Sequence, residues 1–279
     1  MSVWLRSLRT ADFTADVSMV ASGKHVGQPE YQRWLAAIAQ TNGRHRKVWE
    51  WCFILQALEN HNLLRSGVSA VGFGVGTEPL VAALAARGVR VLATDQAAEQ
   101  AGEWGATGQH ATAVDSLRRP ELCDDAQFTR LVSFRPVDMR SIPADLGEFD
   151  LAWSSCCFEH LGSPDAGFDF VVASLAFVRP GGVIVHTTEL DCDAGNKQLL
   201  EQGSVANGDY ACFYRRQDLK GLVLRLRAAG HAVECNYHVG SRHPLEKQID
   251  QQPYTHDPHM RLRVADRVVT SFGLTVVKR

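Results

Sequence analysis

Three glycines, Gly72, Gly74 and Gly76, close a short apolar run from Val68 to Phe73, and Glu78 with Pro79 follows at once, Pro79 being favoured in a helix's first turn. Glycine lets a backbone turn sharply and approach a ligand closely. A second apolar run, Val89 to Thr94, ends in Asp95. Strand, glycine loop, helix, strand and terminal acid in that order describe a nucleoside-cofactor cradle, with Asp95 placed to accept ribose hydroxyls. The spacing is GxGxG. A dinucleotide fingerprint places its third glycine at position 77, which is threonine here.

Other clusters are weaker. Glu189, Asp191 and Asp193 have oxygen ligands at a spacing that would suit magnesium or calcium, but a solvated loop is the favoured account of them. His256-Asp257-Pro258-His259 invites a metal, yet a loop shaped by two nearby prolines explains it without one, and no metal is expected. Arg215 and Arg216 precede a helix and suit either an anionic acceptor or surface ion pairs. Cys156-Cys157 reads as redox-active only in an electropositive setting. The seven cysteines are odd in number and show no CxxC spacing, which argues against a disulfide framework or a structural zinc.

These residues need a large scaffold, and 279 residues, 45% apolar and 22% charged, supply one. Lysine plus arginine number 29 against 31 acids, a net charge of -2 that argues against nucleic acid as partner. No apolar run reaches about 18 residues and the N-terminus lacks a signal-peptide pattern, so a cytoplasmic chain without a membrane span is expected. Apolar residues from Arg46 to Leu64 recur at helical spacing, with Trp49, Trp51 and Phe53 expected in the core. Further strands are expected at 131–134, 149–154, 183–188, 232–237 and 268–277, and helices at 78–87, 124–130, 166–178 and 217–229. Alternating strands and helices mean βαβ units and a mainly parallel sheet. His186, alternating with Val185 and Thr187, belongs to the sheet packing. Residues 1–65 read as a helical extension or lid, and 66–279 as the main domain.

The glycine loop with Asp95 resembles motif I of the class I S-adenosylmethionine-dependent methyltransferases. Val137-Asp138-Met139, Phe149 to Ser155 and Val178-Arg179-Pro180-Gly181-Gly182 resemble that family's later motifs in order. The resemblance implies an α/β, Rossmann-like fold: a seven-stranded, mostly parallel sheet, its last strand antiparallel, with helices on both faces. It implies S-adenosyl-L-methionine as methyl donor, held by Gly72, Phe73, Gly74, Gly76 and Glu78 in the loop, Asp95 and Gln96 at the ribose, Asp138 and Met139 at adenine, and Ser154, Ser155 and Cys156 at the methionine end. His160, just past the fourth strand, is the first candidate for general base and Glu189 the second.

GFGVGTEPL, WGATGQH, WSSCCFEHLGS, PGGVIVHTTE, YRRQDL and PYTHDPHMRL together resemble a bacterial subgroup that accompanies glycosyltransferases in glycan pathways. A sugar or glycan hydroxyl is the acceptor this implies, with Trp104, Arg215, Tyr254 and His259 as substrate contacts; a homodimer is compatible. The chain departs from the subgroup at LDCDAGN and at Gln251-Gln252-Pro253, both on the acceptor side. The alternatives are another small-molecule acceptor, or cofactor binding without turnover.

Overall fold

The computed structural model describes residues 9–97, 110–193, 197–203, 210–240 and 243–279. In chain order these form β1 (Ser18–Val20), α1 (Gly23–Val26), α2 (Pro29–Ala37), α3 (Arg46–Asn60), β2 (Ser69–Phe73), α4 (Leu80–Ala85) and β3 (Arg90–Asp95). Then come α5 (Asp125–Leu131), β4 (Val132–Pro136), β5 (Phe149–Ser155), α6 (Pro164–Ser174) and β6 (Val178–Asp191). A hairpin of β7 (Leu200–Gly203) and β8 (Tyr210–Phe213) precedes α7 (Arg216–Ala228), β9 (Cys235–Asn236), α8 (Pro244–Lys247), β10 (Leu262–Val264) and β11 (Arg267–Val277).

The main sheet runs β4-β3-β2-β5-β6-β11-β1-β9, with β10 paired to β11. The first five are mutually parallel, and β11 lies antiparallel to β6, matching Val269 with Asp191 through Val277 with Val183. The α/β, largely parallel architecture is as expected. The strand count is not: among the described residues the sheet has nine strands instead of seven. One addition comes from the N-terminal extension, whose β1 inserts between β11 and β9, so that this extension is not purely helical. β9 accordingly reaches the sheet through β1.

Alternation along the strands decides what each face carries. Leu151, Trp153, Val183 and Val185 face α3, packing with Trp49, Cys52, Leu55 and Leu58. Ala152 and Ile184 face the opposite side, with Phe158, Phe170, Leu219 and Leu222 from α6, α7 and the turn before α6. A Cβ on Gly273 would stand 2.2 Å from the Phe53 ring, so α3 approaches β11 at glycine-only distance. His186 is wholly buried in the second layer, its ring nitrogens 2.8 Å from Ser154 Oγ and 3.1 Å from Ser174 Oγ, and burial lowers its pKa to about 3. Caps set the helix starts: Ser163 Oγ accepts the Ala166 N–H at 3.0 Å ahead of Pro164, and Asp124 accepts that of Gln127 at 2.9 Å. No helix of the described residues is long and apolar enough to cross a membrane.

Candidate active site

A cavity of about 710 Å³ opens over the C-terminal ends of β2, β3 and β5, where ligands of open α/β sheets bind. Its volume lies in the range of small-molecule sites, roughly 300–1,000 Å³. Gly74, Gly76, Glu78, Asp95, Gln96, Asp138, Met139, Ser155, Cys156, His160 and His259, all expected at the site, line it. So do His45, Arg46 and Lys47 at the start of α3 and Tyr210, which the sequence did not point to, and Trp51, His110, Cys157 and His256. Trp51, expected in the core, is therefore a wall of the cavity, whereas Trp49 and Phe53 are buried.

The glycine loop is built by backbone geometry. Gly74 and Gly76 have φ of +57° and +52°, in the left-handed region that side chains disfavour. A Cβ on Gly74 would meet Cys157 Sγ at 2.9 Å and Met139 Sδ at 3.3 Å, closing the passage. Asp95, 8% exposed, accepts N–H bonds from Gly76 at 3.0 Å and Ala111 at 3.2 Å on Oδ2, and from Gln96 at 2.9 Å on Oδ1. A carboxylate has about four lone-pair positions, so one remains for a ligand. Burial raises its pKa while those N–H bonds oppose the shift. His110 Nε2 lies 2.8 Å from the Gln96 carbonyl, which only accepts; the proton is therefore on Nε2 and Nδ1 carries the lone pair. That Nδ1 is buried with no hydrogen-bond partner among the described residues, an acceptor that a ligand hydroxyl or amine would satisfy. A nucleoside with a ribose diol and an exocyclic amine fits these two acceptors. Asp138 is tied to Arg140 at 2.8 Å, which holds its carboxyl below the ordinary value.

On the β5–β6 side the chemistry differs. Arg46 bridges Glu50, at 3.1 Å, and Glu189. Lys47 reaches Glu78 at 3.1 Å and the Ser155 carbonyl at 3.2 Å. Glu50 is fully buried against the sheet and accepts from Thr187 Oγ1 at 2.9 Å, from Ser155 Oγ at 3.3 Å and from Ser271 Oγ, one hydroxyl from each of three adjacent strands. Ser155, Thr187 and Glu189 share this face by alternation. Ser154 and Thr188 point the other way, Ser154 to His186 and Thr188 to Glu159 at 3.0 Å, so Ser154 does not line the cavity. Glu159 is buried, and its pKa rises to about 8 through desolvation and the nearby Glu189.

His160 Nδ1 lies 3.1 Å from the Tyr210 carbonyl, which places the proton on Nδ1 and the basic lone pair on Nε2. Burial lowers its pKa to about 4, leaving a neutral imidazole at neutral pH. Cys157 Sγ donates to the carbonyls of Gly74 and Ser155, each at 3.1 Å, and burial pushes both Cys156 and Cys157 up, the opposite of what redox reactivity needs.

Several expected residues stand outside the lining. Gly72 packs so closely on Trp153 that a Cβ would sit 2.4 Å away, and Phe73 is buried in the second core layer. Glu189 is occupied by Arg46. Arg215 donates its backbone N–H to Asp218 at 2.8 Å and its guanidinium to the same carboxylate at 2.6 Å. Tyr254 donates its hydroxyl to the Arg263 carbonyl at 2.9 Å and packs edge-on against His259. Asp191 is bound to Arg267 at 2.6 Å, so the acidic run at 189–193 is divided between two arginines. Trp104 lies outside the described residues. The first turn of α3 carried a signal that periodicity hides: two cations, Arg46 and Lys47, stand where the helix dipole favours acids.

Residues 71–186 match the model of a methyltransferase domain. No curated protein matches the chain. Among solved structures, the chain is similar to an S-adenosylmethionine-dependent methyltransferase from Clostridium acetobutylicum, 11% identical over 89% of this chain and 96% of that one, with a TM-score of 0.48. One from Mesorhizobium loti is 15% identical over 80% and 96%, with a TM-score of 0.47. One from Methanosarcina mazei is 13% identical over 78% and 95%, also at 0.47. The matched segment spans the glycine loop, Asp95 and the end of β5, the same elements that enclose the cavity, so the matched methyltransferase domain and the cavity together support S-adenosylmethionine-dependent methyl transfer on a Rossmann-like fold.

Proposed function

We propose that the chain transfers the methyl group to a hydroxyl oxygen of a sugar or glycan. The observation that carries this reading is the set of imidazoles on the β5–β6 side of the cavity: His45, His160, His256 and His259 all line it. Burial lowers His45 to about 3 and His160 to about 4, and lowers His259, so those three rings are neutral at neutral pH. A neutral imidazole both donates and accepts, as a sugar hydroxyl does. The glycan-pathway resemblance of the sequence points the same way.

S-Adenosylmethionine supplies an electrophilic methyl when bound. Asp95 and His110 would receive its ribose and adenine donors, and Gly74 and Gly76 would let the backbone lie against its methionine portion. The N-terminal segment, through the first turn of α3, would cover the acceptor side. His160 Nε2 is the proposed proton acceptor for the hydroxyl, and Glu189, bound to Arg46 behind the lining, is not. The test is radiolabelled methyl transfer to a panel of oligosaccharides and small phenols. Label on a sugar oxygen supports the reading; label only on phenols or other small molecules replaces the acceptor, and binding without transfer to any of them rejects turnover.

A further inference from the structure

We propose that His45, His256 and His259 form a binding site for a divalent transition metal, zinc or an ion with the same preference for imidazole, on the β5–β6 side of the cavity. The donor atoms of the three rings all lie within 4.8 Å of one another. Tetrahedral zinc with bonds of about 2.05 Å sets its nitrogens about 3.4 Å apart, so the widest pair need close by about 1.4 Å, a side-chain adjustment. The backbone already holds the two segments in register: the Arg46 N–H donates to the His259 carbonyl at 3.1 Å and the His259 N–H to the Arg44 carbonyl at 2.8 Å. The rings gather over His259, with His45 at 4.6 Å and His256 at 4.8 Å between centroids.

The supporting shell has the form that metal sites use. His259 Nδ1 lies 2.6 Å from Asp250 Oδ2, so it donates there and leaves Nε2 as the ligand atom, a carboxylate–histidine pair. The same buried carboxylate orders the loop, accepting the N–H groups of Thr255 at 3.0 Å and His256 at 2.9 Å. Charge also fits. Every cation near the cluster is already paired: Arg44 with Asp257, Arg46 with Glu50 and Glu189, Lys47 with Glu78. Asp250 meets no lysine or arginine among the described residues, and its ion pair is with His259. His45 accepts the Lys47 N–H on Nδ1 at 3.1 Å as the cap of α3, so it joins the ion only by giving up that bond. His256 and His259 are therefore the anchors. Three protein nitrogens on a cavity wall leave the remaining coordination positions facing the cavity, where an acceptor hydroxyl would bind.

The experiment is a titration of the chelator-stripped full chain with cobalt(II), followed by absorption spectroscopy, with zinc as competitor. One ion per chain is expected, with a nitrogen–oxygen ligand-field spectrum and no thiolate charge-transfer band, a needed distinction in a chain with seven cysteines. His256→Ala, at an exposed position, should weaken binding at least about a hundredfold without moving the thermal midpoint, and Asp250→Asn about ten- to a hundredfold. The absence of a saturable ion, a thiolate band, or His256→Ala binding within threefold of the unaltered chain would overturn the site. The readout needs neither cofactor nor acceptor, so its failure leaves the methyl-transfer reading standing.

Discussion

Glu50→Ala removes the group that ties α3 to three strands and holds Arg46 in place. The fully buried carboxylate accepts from Thr187, Ser155, Ser271 and Arg46. Hydrogen bonds to a charged group contribute about 1.5–3 kcal/mol each, and breaking a buried ion pair costs about 3–5 kcal/mol. These do not add, because the hydroxyls can turn to other acceptors and Arg46 keeps Glu189, so the loss is about 5 kcal/mol. At about 2–4 °C per kcal/mol for a chain of this size, the thermal midpoint should fall about 10–20 °C. Glu50→Gln keeps the shape and half of the acceptors, and should lose about half as much. Urea unfolding followed by circular dichroism measures both. A loss under about 1 kcal/mol for Glu50→Ala, or a glutamine variant less stable than the alanine one, would refute the role given to this carboxylate.

Three further predictions concern the site. Asp95→Ala strips the acceptor from three backbone N–H groups and from the cofactor's ribose; one charge-assisted bond corresponds to about ten- to a hundredfold in affinity, so calorimetric Kd for S-adenosylmethionine should rise at least about tenfold, and unchanged affinity would count against the cradle. His160→Gln should lower kcat about 10²–10⁴-fold with little change in KM for the cofactor, and with the unaltered chain the acid limb of kcat/KM should lie near pH 4; a loss below about tenfold would remove His160 from proton transfer. The buried histidines also make stability pH-dependent. His25 and His160, lowered to about 4, and His45 and His186, lowered to about 3, bind fewer protons folded than unfolded below about pH 6.5. Their contribution is complete above that pH and is lost as pH falls, at up to about 1.4 kcal/mol per unit for each group. Glu159, raised to about 8, and Glu78, Asp95 and Glu189, also raised by burial, work in the opposite sense, against six lowered histidines once His231 and His259 are counted. Urea midpoints should therefore be lower at pH 5 than at pH 7.5; equal or higher midpoints would contradict the buried neutral rings.

The parallel half of the sheet was legible because its strands are continuous apolar runs separated by helices with clear starts, such as Ser163-Pro164. β1 was not: three residues give no periodicity, and β1 pairs with β11 some 250 positions away, so that β9, expected as a strand at 232–237, pairs with a neighbour the sequence did not announce. Within the cavity, the glycine loop and Asp95 were readable because their spacing encodes backbone geometry. Ser154 illustrates the limit of motif reading, since strand alternation allows only one of Ser154 and Ser155 to face the cavity. The first turn of α3 was hidden by its own helix, whose apolar spacing announced packing and drew attention from Arg46 and Lys47. Asp250 had no local signal, because its partners Thr255, His256 and His259 define it only once the loop is folded.

The most direct test of the account is calorimetric titration of S-adenosylmethionine into the full chain, repeated with Asp95→Ala and with S-adenosylhomocysteine as competitor. One saturable site per chain, competed by S-adenosylhomocysteine and weakened by Asp95→Ala, is the predicted result. Saturable binding of a nicotinamide dinucleotide in its place, or S-adenosylmethionine affinity indifferent to Asp95, would contradict it.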